Sequence, residues 1–154
     1  MEIIGPDLNE RRQCEEVLRS LPMWFGIEEA LLMYADDSTR LPTFAVIEGT
    51  EVKGFISLQQ HFPQAWEVHC IAVRADSRNK GYGKALSAHA ERWLSAQGVA
   101  LLQVKTVAAT SPSKAYAETR EFYNQLGFRP LEVFPELWSR RNPCLQLIKF
   151  LPGG

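Results

Sequence analysis

The chain has 154 residues, a formal net charge of −1 and 45% hydrophobic residues, enough for one domain with a substantial core. It has no run of about 18 apolar residues, which excludes a membrane-spanning helix, and its interspersed charges weigh against a dedicated nucleic-acid binder. Met1–Asp7 lacks the basic-then-apolar pattern of a secretory leader, and Cys14, Cys70 and Cys144 are odd in number and far apart. They make neither a disulfide framework nor a zinc site, so the expectation is a cytoplasmic protein with reduced cysteines and no metal.

Glu2-Ile3-Ile4 reads as a short edge strand. Pro6-Asp7 opens a helix with Leu8, Val17, Leu18 and Leu21 as its buried stripe, closed by Pro22. A second helix runs from Ile27 to about Tyr34, and Asp36-Asp37-Ser38 reads as a turn. Between these helices, Trp24 and Phe25 are either an aromatic wall for a substrate or a core plug. Thr43–Ile47 and Val52–Leu58 are β-rich and joined by Glu48-Gly49-Thr50-Glu51, a hairpin signal.

Ala65–Val73 is the next strand. Strict alternation puts Trp66, Val68, Cys70 and Ala72 on one face and Glu67, His69, Ile71 and Val73 on the other. A carboxylate and an imidazole on a mostly buried strand need partners or a purpose. Glu67 is either catalytic or a structural hydrogen-bonding group, and His69 alone reads as a satisfied structural histidine. Leu86, Ala90, Trp93, Leu94 and Gln97 follow at near-helical spacing, with Gly98 as the stop. Val99–Val107 is a strand, so strand, helix and strand imply a parallel crossover. Ser111-Pro112 caps a helix that runs to Leu126. Arg129–Trp138 and Cys144–Phe150 close the chain as antiparallel strands, the first irregular or at an edge because of Pro130 and Pro135.

Between the Ala65–Val73 strand and the following helix lies Arg78-Asn79-Lys80-Gly81-Tyr82-Gly83-Lys84. Glycines there let backbone approach a ligand, and the unpaired N–H groups at a helix start favour an anion. The P-loop pattern fails, because Ala85 follows Lys84 where Ser or Thr is required. A dinucleotide fingerprint needs a small residue where Leu86 stands, and wants the motif in the first strand–helix unit. The plain alternative is a glycine-rich turn.

Arg78-x-x-Gly81-x-Gly83 resembles the coenzyme A pyrophosphate loop of the GNAT acetyltransferases. Phe122-Tyr123-Asn124-Gln125-Leu126-Gly127-Phe128, closing a helix about forty residues later, resembles that superfamily's other recurring motif. The resemblance covers roughly residues 43–150. It implies an α/β fold in one domain, residues 1–154: a mixed sheet of about six to seven strands, splayed at the motif strand and flanked by about four helices. It further implies an acetyl-CoA-dependent N-acetyltransferase with direct transfer to a small-molecule or peptide amine, with a homodimer as an expectation. The alternative class is a non-catalytic acyl-CoA-binding module.

The resemblance also assigns roles. The backbone N–H groups of residues 79–84, with Arg78, would hold the pyrophosphate, and the backbone of Ile71, Ala72 and Val73 the pantetheine arm. The Val73 N–H would polarise the thioester carbonyl. An alkylamine is almost wholly protonated at pH 7, and leaving it unassisted costs roughly 4 kcal/mol, so a base is useful. Glu67 lies fourteen residues before Gly81, where some relatives place a glutamate base, and His69 is the second choice. Tyr123 would protonate the departing thiolate. Where many relatives carry an asparagine, this chain has Tyr116, expected to touch the coenzyme. Trp24, Phe25, His69 and Trp138 are the expected acceptor side.

Overall fold

Seven strands and four helices follow one another along the described residues: β1 (Glu2–Ile4), α1 (Arg11–Arg19), α2 (Glu28–Arg40), β2 (Thr43–Glu48), β3 (Glu51–Phe62), β4 (Ala65–Val73), α3 (Tyr82–Ser95), β5 (Leu101–Val107), α4 (Lys114–Gln125), β6 (Arg129–Phe134) and β7 (Cys144–Phe150). The structure is a computed structural model that describes residues 1–152. All strands join one sheet in the order β1-β2-β3-β4-β5-β7-β6. Every neighbouring pair is antiparallel except β4–β5, which the α3 crossover makes parallel. No described helix is long and apolar enough to cross a membrane.

The sheet is covered on both faces. On one, α1 and α2 bury Cys14, Val17, Leu18, Leu31 and Ala35 against Ala45, Val52, Phe55, Cys70 and Ala72. On the other, α3 and α4 bury Leu86, Ala90, Leu94 and Tyr123 against Phe44, Ile56, Leu58 and Val104. Gly98, at φ +81°, ends the turn after α3, as expected of a stop glycine.

Several expectations need correcting. The first helix begins at Arg11 rather than at Pro6-Asp7, although Leu8 and Leu21 on either side are still buried. The fourth is capped by Ser113, whose side chain accepts from the Tyr116 N–H, rather than by Ser111. β6 stops at Phe134, with a register shift between Pro130 and Glu132 that fits an irregular edge strand.

Asp36-Asp37-Ser38 is not a turn but part of α2. Tertiary bonds override the local preference of Asp and Ser for turns. Asp36 pairs with Arg11, Asp37 with Arg40 and His69, and the Ser38 hydroxyl donates to the Ala35 carbonyl at 2.7 Å.

The largest correction concerns β4. Ser57 pairs with Cys70 and Leu58 with Val68, so His69 is an extra residue with no opposite number. This is a β-bulge, and it reverses the alternation of faces. Before it, Trp66 and Val68 point to the α3/α4 layer; after it, Ile71 and Val73 do, while Cys70 and Ala72 point to α1/α2. Glu67, His69, Ile71 and Val73 therefore do not share a face. His69 and Cys70 both turn towards α1/α2, although adjacent strand residues ordinarily oppose each other. They still make no nucleophile–base pair: the His69 Nε2 is committed to Asp37, and burial pushes the Cys70 thiol up.

Candidate active site

β4 and β5 pair only from Ala65 to Glu67 against Leu101 to Gln103. Beyond that the strands part, and Val68–Val73 has no partner on its β5 side. The gap opens into a cleft of about 870 Å³, lined by β4, β5, the loop before α3, and α4. The Arg74 N–H bonds the Lys53 carbonyl at 2.8 Å. In an antiparallel ladder the next pair inward, Val73 with Gly54, is then the non-bonded kind. The Val73 N–H consequently turns away from β3 and towards the gap, and so does that of Ile71, two residues back.

At one end of the cleft stands the start of α3. Gly81 has φ +83° and Asn79 φ +63°, so the chain makes its turn through two left-handed residues. The first bond within the helix runs from the Ala85 N–H to the Gly81 carbonyl. The N–H groups of Tyr82, Gly83 and Lys84 are left without helical partners, and no side chain caps them. A Cβ on Gly83 would lie 3.1 Å from the Phe122 ring, so glycine is what lets α3 start against α4. Arg78, Asn79, Gly81, Gly83 and Lys84 line the cleft, whereas Lys80 is exposed outside it. Tyr82 lines it too, but its ring is buried and its hydroxyl bonds Glu48, which leaves its backbone for the loop.

Tyr123 lies further along the cleft on α4, buried between Phe122 and Phe128 with ring centroids 5.4 and 5.6 Å away. Burial raises its pKa above that of an ordinary phenol. Its hydroxyl has no partner among the described residues, yet no buried side-chain oxygen is left unpartnered, so the hydroxyl keeps contact with the cleft.

The remaining expected residues divide. Glu67 is buried, and both of its oxygens are taken: Oε1 by His61 at 2.7 Å and by the Lys105 ammonium, Oε2 by Lys105 at 3.1 Å. His69 lines the cleft, with its Nε2 2.8 Å from the Asp37 carboxylate and its ring 5.2 Å from that of Tyr34. Phe25 continues this row edge-on to Tyr34, and Trp138 lines the same side, largely exposed. Trp24 is a brace rather than a bare wall. Its indole N–H donates to the Thr119 hydroxyl at 2.9 Å, its carbonyl accepts from Tyr116 at 3.4 Å, and the Arg78 guanidinium sits 4.7 Å above its ring.

Sequence reasoning missed Asp37, Lys105 and the bracing by Trp24. For Asp37 a signal existed: Leu31, Ala35 and Ser38 keep helical spacing and carry α2 past Tyr34. Lys105 sits one strand away from Glu67, and nothing local announces that pairing.

The family model of the acetyltransferase (GNAT) domain matches residues 40–130, from the end of α2 through the cleft to the start of β6. The chain belongs to the GNAT acetyltransferases. This GNAT chain is therefore an acyltransferase. Solved structures carry the same fold over almost its whole length. A GNAT-family protein from Desulfovibrio desulfuricans is 18% identical, with 97% of this chain and 98% of that chain covered and a TM-score of 0.82. An aminoglycoside 6'-N-acetyltransferase complexed with coenzyme A is 20% identical, covers 97% of each chain and has a TM-score of 0.77. The ribosomal-protein-S18-alanine N-acetyltransferase of Escherichia coli is 18% identical, with 97% and 94% covered and a TM-score of 0.74. No curated protein matches the sequence significantly.

Proposed function

We propose that this protein is an N-acetyltransferase that moves an acetyl group from acetyl-CoA directly to a primary amine. The observation that carries the reading is the continuity of the cleft. Unpartnered helix N–H groups at Tyr82–Lys84, an outward-facing Val73 N–H and the Tyr123 hydroxyl border one opening between β4 and β5.

Each border does one task. The start of α3, with Arg78 and Lys84 beside it, suits the diphosphate, because free N–H groups and the helix dipole favour negative charge. The β4 edge past Val68 offers backbone groups to an extended arm laid in the gap, as a missing strand would take them. The Val73 N–H is aimed where a thioester oxygen gathers charge as the amine attacks; a fixed donor of that kind is worth about 3 kcal/mol. The nitrogen–carbon bond forms, the carbon–sulfur bond breaks, the attacking nitrogen releases its surplus proton to a base in the cleft, and the thiolate takes the Tyr123 phenol proton, which solvent replaces. Tyr116, bonded to the Trp24 carbonyl, would touch the coenzyme from the α4 side, and Arg78 would reach it from its stack on Trp24.

The acceptor enters from the other side, past Phe25, Tyr34, His69 and Trp138. Aminoglycosides and ribosomal-protein alanine are named for similar structures. This chain's acceptor is a small-molecule or peptide amine.

Calorimetric titration with coenzyme A, followed by thiol release from acetyl-CoA across a panel of primary amines, tests the proposal. Binding is expected at micromolar coenzyme, with at least one amine acetylated. Binding without turnover would favour an acyl-CoA-binding module, and no binding at millimolar coenzyme would end both readings.

A further inference from the structure

Resting on the acetyl-transfer reading, we propose that His69, held by Asp37, is the base that takes the proton from the acceptor amine. Glu67 is then a structural partner of Lys105 and His61.

The two candidate bases near the β4 bulge are placed differently. Glu67 already accepts from Lys105 with both oxygens and from His61 with one. It could reach an amine proton only by giving up bonds to Lys105 or His61. His69 is free at one nitrogen. Its Nε2 lies 2.8 Å from Asp37 Oδ2, and no partner among the described residues meets its Nδ1. No buried side-chain nitrogen is left unpartnered, so Nδ1 stays accessible where His69 lines the cleft and a recess beside it. A carboxylate on one nitrogen keeps the hydrogen there and leaves the lone pair on the other.

Asp37 is itself fixed. It is buried on α2, and its other oxygen accepts from Arg40 at 2.7 Å. His69 follows Val68, which points to α3/α4, and so turns to the α2 side, while the bulge leaves it with no partner on β3. Were β4 to alternate regularly, His69 and Cys70 would not both face α2. The step balances simply. One ammonium proton passes to Nδ1, the imidazolium is stabilised by Asp37, and that proton leaves to solvent through the cleft. The freed lone pair attacks the thioester carbon, the carbon–sulfur bond breaks, the nitrogen gives its second proton to the again-neutral His69, and the thiolate takes its proton from Tyr123.

Asp37 and Tyr34 of α2 touch His69 directly, Arg40 is bonded to Asp37, Glu67 of β4 and Lys105 of β5 line the recess beside it, and Cys70, Tyr116 and Tyr123 line the cleft it borders. The carboxylate in direct contact with His69 is that of Asp37.

The test follows thiol release from acetyl-CoA against pH with a primary alkylamine and with hydroxylamine, which is already neutral. His69→Gln should lower kcat/KM for the alkylamine about 100-fold and abolish the acid limb of the profile, with less than about tenfold loss for hydroxylamine. Asp37→Asn, the positioning variant, should lower kcat/KM for the alkylamine about tenfold with hydroxylamine little affected, and in nitrogen-15 spectra should lose the fixed placement of the His69 hydrogen on Nε2. Glu67→Gln should keep it in place. Nitrogen-15 spectra of the native chain should show His69 carrying its hydrogen on Nε2. A native acid limb in His69→Gln, its loss in Glu67→Gln alone, or hydrogen on Nδ1 in the native spectrum would each overturn the assignment. Failure of the native chain to bind coenzyme A would instead sink acetyl transfer, so the two failures are distinct.

Discussion

Tyr123 carries opposite demands in one side chain. It must be buried to be held, yet its hydroxyl must reach the cleft. Burial between Phe122 and Phe128 raises its pKa, so the phenol stays a proton donor well above neutral pH. Tyr123→Phe keeps the ring packing and removes only the proton. Turnover should fall about 100-fold while coenzyme A affinity changes less than about twofold, read by thiol release and calorimetry. Equal turnover would remove the acid. The same burial has a stability consequence. Tyr34 is pushed up to about 12, and Tyr116 and Tyr123 are raised as well. A raised folded value favours the protonated form in the fold, so the stability is present below the unfolded phenol value near 10 and is lost as pH rises beyond it. The buried thiols of Cys14, Cys70 and Cys144 are raised too, so urea midpoints should begin to fall above about pH 8.5 as unfolded thiols ionise, and fall further above about 10. Tyr123→Phe should make the second part shallower.

At the scale of elements, α3 and α4 meet where Gly83 faces the Phe122 ring. Gly83→Val places branched methyls into that contact and disfavours the helix start against α4. Expected are a cost of about 1–3 kcal/mol, a melting temperature lower by several degrees, and roughly tenfold weaker coenzyme A binding. Unchanged melting and binding would show that the two helices yield freely. This contact also marks what the sequence could and could not tell. Gly81, Gly83 and Gly127 announce their turns because left-handed or crowded backbone is a local demand, and so both motif ends were legible. The bulge at His69 was not, since it exists only in the register of β4 against β3. Nor was the last half of α2, where Asp37 is held in helix by Arg40 and by His69, 32 residues away. The cleft-forming residues announce themselves locally; the acceptor side is assembled from partners far apart in the chain.

The whole molecule is two half-sheets, β1–β4 and β5–β7, sharing a core but zipped directly only from Ala65 to Glu67. Trp24 adds a second tie, from the α1–α2 loop to Thr119 and Tyr116 on α4. A ligand lying between the halves touches both and favours the folded state over any in which they separate. By mass action, coenzyme A at 100 times its dissociation constant adds about 2.7 kcal/mol, which for a chain of this size raises the melting temperature by about 5–10 °C. Pantetheine, which lacks the diphosphate, should give a much smaller shift at the same concentration if the start of α3 supplies most of the affinity. Trp24→Ala removes the second tie and the stack under Arg78. It should lower the melting temperature without ligand, while coenzyme A at the same multiple of its dissociation constant adds the same stabilisation, so that the shift stays close to the native one. Equal shifts for pantetheine and coenzyme A would move the binding energy away from the helix start. A smaller saturating shift in Trp24→Ala would make the brace part of the binding site rather than a tie between the halves.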